Sequence, residues 1–441
     1  MVVWHNLVAG LTVSFVAISL GAAFGILSGR GAFAGIVSAG IIAFITAALG
    51  GTRVQTSGPT APMTAVSAVV VAFAYDQLLA RMPGADSEQF IDLVLILTGL
   101  VMLLMAVLRL GRFIQYVPKV VVSGFMNGIA ILIWVDQLRK LAGWGGKTPF
   151  AGDQSTNILL AATTFALVMA FPFVIRRIAK GAAAFLPGTL LTIIGVSLVV
   201  NVFRLDVELV NLDTTVASVA ELRALVANHV PSGWSWTMVA LALPFALQLA
   251  MLGYLDTLMT SLVVDKLNGE ETRKDKELAA QGVANGLVAF VGGIPGAQAT
   301  IRSVLILKEG ATLRLAGIMV GVFVLVEMVL FQQYISLIPN AVFAGLLFKV
   351  GWDVFDWLPF RRYTSARLDQ AGLSGAWLRR PLDPPLTVTH TEALFIVGTT
   401  VATIVWDLNV AVIGFVTLFY LLRRLRPIRD LEIDTAFADE E

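Results

Sequence analysis

Apolar runs follow one another so closely along this chain that little sequence is left to build an aqueous surface. Fourteen can be marked, at residues 6–28, 31–49, 62–80, 90–108, 114–138, 157–175, 185–202, 236–264, 277–291, 298–307, 313–331, 339–358, 391–406 and 409–423. Several reach the roughly 20 residues that a helix needs to cross a hydrocarbon core of about 30 Å. Backbone in lipid must satisfy its own N–H and C=O groups, so the runs are predicted as helices and the chain as an all-α membrane protein. The charge content agrees: 14% of the 441 residues are charged, where a soluble chain carries about a quarter.

The same inventory excludes several kinds of chemistry. A net charge of +1 offers no nucleic-acid surface, and the absence of cysteine removes disulfides, thiol catalysis and cysteine-held metals. His5, His229 and His390 are far apart in sequence and outside the apolar runs, so no metal site is expected on them. Gly145-Gly146-Lys147-Thr148 ends like a phosphate-binding loop, but Leu141 stands where that motif requires glycine. No nucleophile–histidine pair lies within a run, and an enzyme is not expected. The first run is too long for a signal-peptide core and is read as a retained span.

Lysine and arginine set the orientation. With the N-terminus in the cytoplasm, twenty-one of the 31 fall on the inner side, seven on the outer side, and Lys119, Arg302 and Lys349 lie within runs. Both termini are therefore expected inside, in the cell (inner) membrane. The longest outward loop, 203–235, separates seven runs (1–202) from seven (236–426), and a short acidic tail, 427–441, follows. An odd number per half forces the halves into opposite orientations, a 7+7 inverted repeat. Gly50-Gly51 before the third run and Gly292-Gly293 before the tenth occupy matching positions.

Each glycine pair leads into breaker-rich sequence, "GGTRVQTSGPTAPMT" and "GGIPGAQATIRS". The uninterrupted apolar stretches beyond them, to Ala74 and to Leu307, are too short to cross a bilayer. They are predicted as half-helices entered through extended backbone. Pro62 suits a first helical turn and Thr60 a cap. Two such helix starts near the midplane would offer free N–H groups and positive dipole ends to an anion.

Within the runs, Arg302 follows closely on the tenth helix start, where it either attracts an anion or pairs with a carboxylate. Asp256 and Thr260 in the eighth run are four apart and share a helix face. Their oxygens suit Na⁺, Asp256 can alternatively carry a proton, and a pair with Arg302 is a third reading. Gln248, two turns earlier, can add an amide to the same cavity or bond a neighbouring helix. Lys119, Asp136 and Lys349 fit snorkelling near helix ends. Gly31…Gly35 and Gly282…Gly286 fit close helix packing.

"GTRVQTSGPTAPMT", "VPKVVVSGFMNGIAILI" and "LDTLMTSLVVDKLNGEETRKDKELAAQGVANGLVAFVGGIPGAQATIRS" resemble the sulfate permease (SulP) family of anion transporters over nearly the whole chain. The closest look is to its sodium-dependent bicarbonate transporters of cyanobacterial type. The resemblance implies a mobile core (segments 1–4 and 8–11), a gate (5–7 and 12–14), elevator-type alternating access, and commonly a homodimer. It implies that anion contacts lie at Thr60, Ala61 and Pro62 and at Gln298, Ala299, Thr300 and Arg302, with Asp256 and Thr260, alongside Gln248, at the coupling cation. Two departures stand out. Ser19 replaces the family's proline in the first span, and the acidic tail stands where the family usually continues into a STAS domain.

The expected function is Na⁺-coupled uptake of a small inorganic anion, bicarbonate being favoured. The alternatives are H⁺-coupled uptake of sulfate or a dicarboxylate, and an anion channel or anion-gated membrane protein.

Overall fold

The computed structural model describes residues 2–145, 148–178, 188–210, 219–230, 232, 234–370, 388–406, 408–425 and 430–431. Gly146-Lys147, the start of the seventh predicted segment and nearly all of the acidic tail lie outside them. The helices are α1 (Val2–Ser28), α2 (Gly31–Leu49), α3 (Ala61–Asp76), α4 (Leu78–Arg81), α5 (Ser87–Val107), α6 (Lys119–Ala142), α7 (Gln154–Ile178), α8 (Gly188–Phe203), α9 (Val219–His229), α10 (Trp236–Asn268), α11 (Lys274–Val288), α12 (Thr300–Lys308), α13 (Arg314–Ile335), α14 (Asn340–Val354), α15 (Trp357–Gln370), α16 (His390–Val405) and α17 (Leu408–Leu425). Two two-residue strands, β1 (Ser57–Gly58) and β2 (Ala297–Gln298), interrupt this helical order.

Among the described residues seven helices are long and apolar enough to cross a membrane, and shorter apolar helices cover Ala61–Asp76, Leu191–Phe203 and His390–Val405. The sequence-based boundaries are displaced in places. The third run ends at Asp76 with the separate turn α4 behind it, and the twelfth stops at Val354, after which α15 begins a new helix. The connecting loop 203–235, expected from sequence to face outward, contains a helix of its own, α9.

Local chemistry explains several helix limits. Asp86 caps α5 by accepting from the amides of Glu88 and Gln89, and Thr389 and Glu392 close a reciprocal capping box on α16. At the start of α7, hydrogen bonds from the Ser155 and Thr156 hydroxyls and the Thr156 amide hold the Asp153 carboxyl down to about 2. The 33-residue α10 begins at Ser235, which accepts from Met238 N, and stops at Gly269, whose φ of 69° is left-handed.

The residues fall into two compact units. The first comprises Met1–Ile114 and Asp136–Lys349. In it α1, α2 and α13 pack together, as do α5, α10 and α11. The predicted close packing at Gly35 is present, since a Cβ there would collide with the Gly21 carbonyl of α1. The second unit comprises Gln115–Val135 and Val350–Glu441. There Asn127 Oδ1 accepts from Asp356 N at 2.6 Å, Thr400 Oγ1 donates to Gly124 O at 3.0 Å, and Trp134, Phe355 and Trp357 form an aromatic cluster.

Candidate functional site

The two breaker-rich stretches meet inside the first unit. Ser57 pairs with Gln298 and Gly58 with Ala297 in an antiparallel register. Ala299 N extends the ribbon by donating to Thr56 O at 2.9 Å. Because the strands run in opposite directions, α3 and α12 leave from opposite ends of the ribbon. The approach is closest at Gly296, where any Cβ would strike the Gly58 carbonyl. Asn285 holds that glycine on both sides, accepting from its N at 2.8 Å and donating to its O at 2.9 Å.

Each helix start leaves amides outside the intrahelical ladder. In α3 these are Ala61 and Met63, since Pro62 has no N–H and Thr64 N donates to Thr60 O. In α12 they are Thr300, Ile301 and Arg302, since Ser303 N donates to Ala299 O. Thr60 occupies the N-cap position with extended backbone but does not cap with its side chain. Its hydroxyl turns away from α3 and donates to Asp256 Oδ2 at 2.6 Å, because a carboxylate is the stronger acceptor. The amide of Ala299, expected near the anion, is likewise taken up by the ribbon.

One face of α10 reaches both starts. Asp256 meets Thr60 ahead of α3, and one turn later Thr260 Oγ1 meets Thr300 Oγ1 of α12 at 2.6 Å. The intervening Thr257 accepts from Gln298 N at 3.3 Å, and Ser261 donates to Gln298 Oε1 at 2.7 Å. Asp256 and Thr300 are half-buried, while Thr60 and Thr260 are buried. Gln248 is half-buried two turns earlier on α10.

Arg302 is 1% exposed. Its Nη2 donates to Pro59 O at 2.9 Å, and among the described residues no ion pair within 4.0 Å joins it to Asp256. The direct pair considered from sequence is therefore not formed. Arg302 Nη1 and Gln298 Nε2, both buried donors, have no hydrogen-bond partner. Buried donors without partners are costly, and one on a guanidinium and one on a carboxamide, beside two helix starts, make the region receptive to negative charge.

Three supporting residues escaped the sequence reading although their spacing was visible. Glu277, Gln281 and Asn285 recur every four residues along α11 and present one polar face. Glu277 accepts from Gly51 N at 2.8 Å and Thr52 N at 2.9 Å, Gln281 Nε2 donates to Ser57 Oγ at 2.7 Å, and Asn285 clamps Gly296. This face holds both entry stretches in place.

A second polar cluster gathers Glu88, Asp92 and His229, whose ligand atoms lie within 4.8 Å of one another. A cation is already supplied there by Arg30, which contacts both carboxylates, with Asp92 Oδ1 at 3.2 Å. Tyr75 takes the other Glu88 oxygen and His229 Nδ1 the other Asp92 oxygen. Every carboxylate oxygen is thus occupied by protein. Arg30 also donates to Gly293 O at 2.9 Å, so this cluster braces the glycine pair ahead of α12.

Apolar helices enclosing a buried polar ribbon define a membrane protein organised around two apposed helix starts. The chain belongs to the sulfate permease family, whose profile matches residues 3–366. It is 30% identical over 372 residues to the bicarbonate transporter BicA of Picosynechococcus sp., covering 81% of this chain and 62% of that protein. It is 32% identical over 365 residues to the BicA of Synechocystis sp., covering 80% and 61%, so the chain spans about three fifths of these relatives. A putative sulfate transporter of Bacillus subtilis, YvdB, is 28% identical over 360 residues, covering 79% and 64%. Among solved structures, the transmembrane domain of a cyanobacterial BicA superposes with a TM-score of 0.73 at 27% identity, covering 93% of this chain and 97% of that one. SLC26A9 shares the fold, with a TM-score of 0.68 at 15% identity, covering 95% and 64%.

Proposed function

We propose that this chain is a secondary active transporter that moves a small inorganic anion together with Na⁺, with bicarbonate as the favoured cargo. The observation that carries this reading is the bridge made by α10. Asp256 bonds the residue ahead of α3, Thr260 bonds the first residue of α12, and the buried Arg302 Nη1 beside them is unpaired. In this reading α3 and α12 act as half-helices, the third and tenth of fourteen segments in a 7+7 repeat. Their lengths of 16 and 9 residues correspond to about 24 and 14 Å at 1.5 Å per residue, short of a hydrocarbon core of about 30 Å.

The anion is received by the free amides of the two starts and by Arg302. The cation is received by hard oxygens, those of Asp256, Thr260 and Thr300. Coupling follows from electrostatics. An empty cation site leaves the Asp256 carboxylate repelling an incoming anion, and Na⁺ cancels that repulsion. Movement of the core then carries both ions across, in the elevator manner that the resemblance implies. The names of the bicarbonate-transporting relatives support the choice of cargo.

A second reading, H⁺-coupled transport of sulfate or a dicarboxylate with Asp256 as the proton carrier, draws support from the relative named as a putative sulfate transporter. Uptake of radiolabelled bicarbonate, sulfate and succinate into proteoliposomes separates the two. Bicarbonate accumulation driven by an inward Na⁺ gradient is expected. Uptake indifferent to Na⁺ and driven by a pH gradient would replace the first reading with the second, and a passive anion current without accumulation would replace both with a channel.

A further inference from the structure

A second intramembrane carboxyl lies away from the ribbon. Glu327 sits on α13, 13 residues after Arg314 and eight before Ile335, more than two turns from either end of the helix. It is 5% exposed. Its Oε1 lies 2.7 Å from Ser14 Oγ of α1, and its Oε2 has no hydrogen-bond partner.

Among the described residues no cation answers it. α13 packs against α1 and α2. α2 has no charged or titratable side chain, and α1 has only His5, nine residues before Ser14 and so about 14 Å along the helix. On α13 the other charged group is Arg314, whose guanidinium donates to Ala47 O at 3.2 Å and Gly50 O at 2.9 Å. An ionised carboxylate in such an apolar interface would stand uncompensated.

The hydrogen-bond count leads to the same place. Ser14 Oγ has two acceptors around it, Leu11 O at 2.7 Å and Glu327 Oε1 at 2.7 Å, but its hydroxyl supplies one proton. A carboxylate would leave one of these short contacts as oxygen against oxygen with no hydrogen between. A carboxylic acid resolves both, with Glu327 O–H donating to Ser14 Oγ while Ser14 O–H donates to Leu11 O.

We propose that Glu327 and Ser14 form a proton-binding site, separate from the anion pocket, whose occupancy makes transport proton-dependent. The route to the pocket is α1, which packs against α13 on one side and against α3 and α12 as well. Loss of the proton places an unpaired charge in the α1–α13 contact and disturbs the helix that borders both helix starts. The part concerning transport rests on the proposed function; the bound proton does not.

Infrared difference spectroscopy of the full chain in liposomes tests the proton directly. At neutral pH, wild type minus Glu327→Gln is expected to show a protonated-carboxyl C=O band that shifts down in D₂O, and Ser14→Ala is expected to shift that band by removing its hydrogen bond. Absence of the band overturns the proposal whatever anion is carried. Uptake profiles test the consequence. The amide introduced by Glu327→Gln donates to Ser14 as the acid does, so this variant is expected to stay active at alkaline pH. The wild-type rate falls there, approaching roughly tenfold per pH unit, the slope of one proton. Superimposable profiles, in variants that remain monodisperse with unchanged melting temperature, would confine Glu327 to packing and overturn the coupling.

Discussion

The starts of α3 and α12 share a backbone plan and differ in their side chains. Both are reached through a glycine pair, both pass through a strand of the same two-residue ribbon, and both begin at an extended N-cap residue that makes no side-chain cap. From strand to first turn (57–64) the α3 start brings prolines and hydroxyls and no charge, whereas the α12 start brings Arg302. The α10 face answers in kind: its carboxylate goes to the uncharged side through Thr60, and its hydroxyl goes to the cationic side through Thr300. The carboxylate and the guanidinium thus reach the α3 entry at adjoining residues, Asp256 through Thr60 and Arg302 through Pro59 O, without an ion pair within 4.0 Å. A direct Asp256–Arg302 pair would satisfy both groups and leave little affinity for any ion, so their separation is the chemically useful feature.

The most damaging test of this comparison attacks what the two starts have in common. Gly296→Val forces a side chain into the Gly58 carbonyl, and overpacking of this kind costs about 1–3 kcal/mol. Uptake is expected to fall to background in protein that still inserts and purifies; retained uptake would mean that the ribbon is dispensable.

The next effects should divide the two sides. Asp256→Asn is expected to abolish the Na⁺ dependence of uptake, and persistence of a normal Na⁺ dependence would remove Asp256 from the cation site. Arg302→Ala deletes a charged donor, for which about 1.5–3 kcal/mol is typical. It should therefore weaken apparent anion affinity roughly 10- to 150-fold and leave apparent Na⁺ affinity nearly unchanged. An affinity for bicarbonate equal to wild type would exclude Arg302 from the anion site.

The smallest effects sharpen the comparison. Thr300→Val removes one neutral hydrogen bond, about 1 kcal/mol, and should change apparent Na⁺ affinity by roughly fivefold, whereas Thr60→Val removes a bond to the Asp256 carboxylate, about 1.5 kcal/mol or somewhat more, and should change it by roughly tenfold or more. Shifts in Na⁺ affinity from both variants would show that both starts contribute to one cation site. A shift in anion affinity from one of them alone would assign that hydroxyl to the anion.

Much of this arrangement could be read before any coordinates. Pro59, Pro62 and Gly296 announced broken helices because such residues cannot continue an intrahelical ladder, and Asp256 and Arg302 stood out because charge is rare among apolar neighbours. Thr60 was assigned a capping role because local rules consider only the chain on either side of it. Its actual acceptor, Asp256, is 196 residues away in sequence. Glu327 passed unnoticed in the apolar "VFVLVEMVLF", although the same criterion that singled out Asp256 applied to it. The polar stripe Glu277-Gln281-Asn285 was legible as a helix face, but what it faced was not.

Sequence by itself determined that the chain is helical and lipid-embedded, and that two places in it cannot be helix, because composition and backbone chemistry act locally. Only the tertiary structure decided that those two places pair as a ribbon, that Asp256 and Arg302 stay apart, and that Glu327 meets a lone serine. Each of those outcomes depends on which residues distant in sequence become neighbours, and no local propensity encodes that.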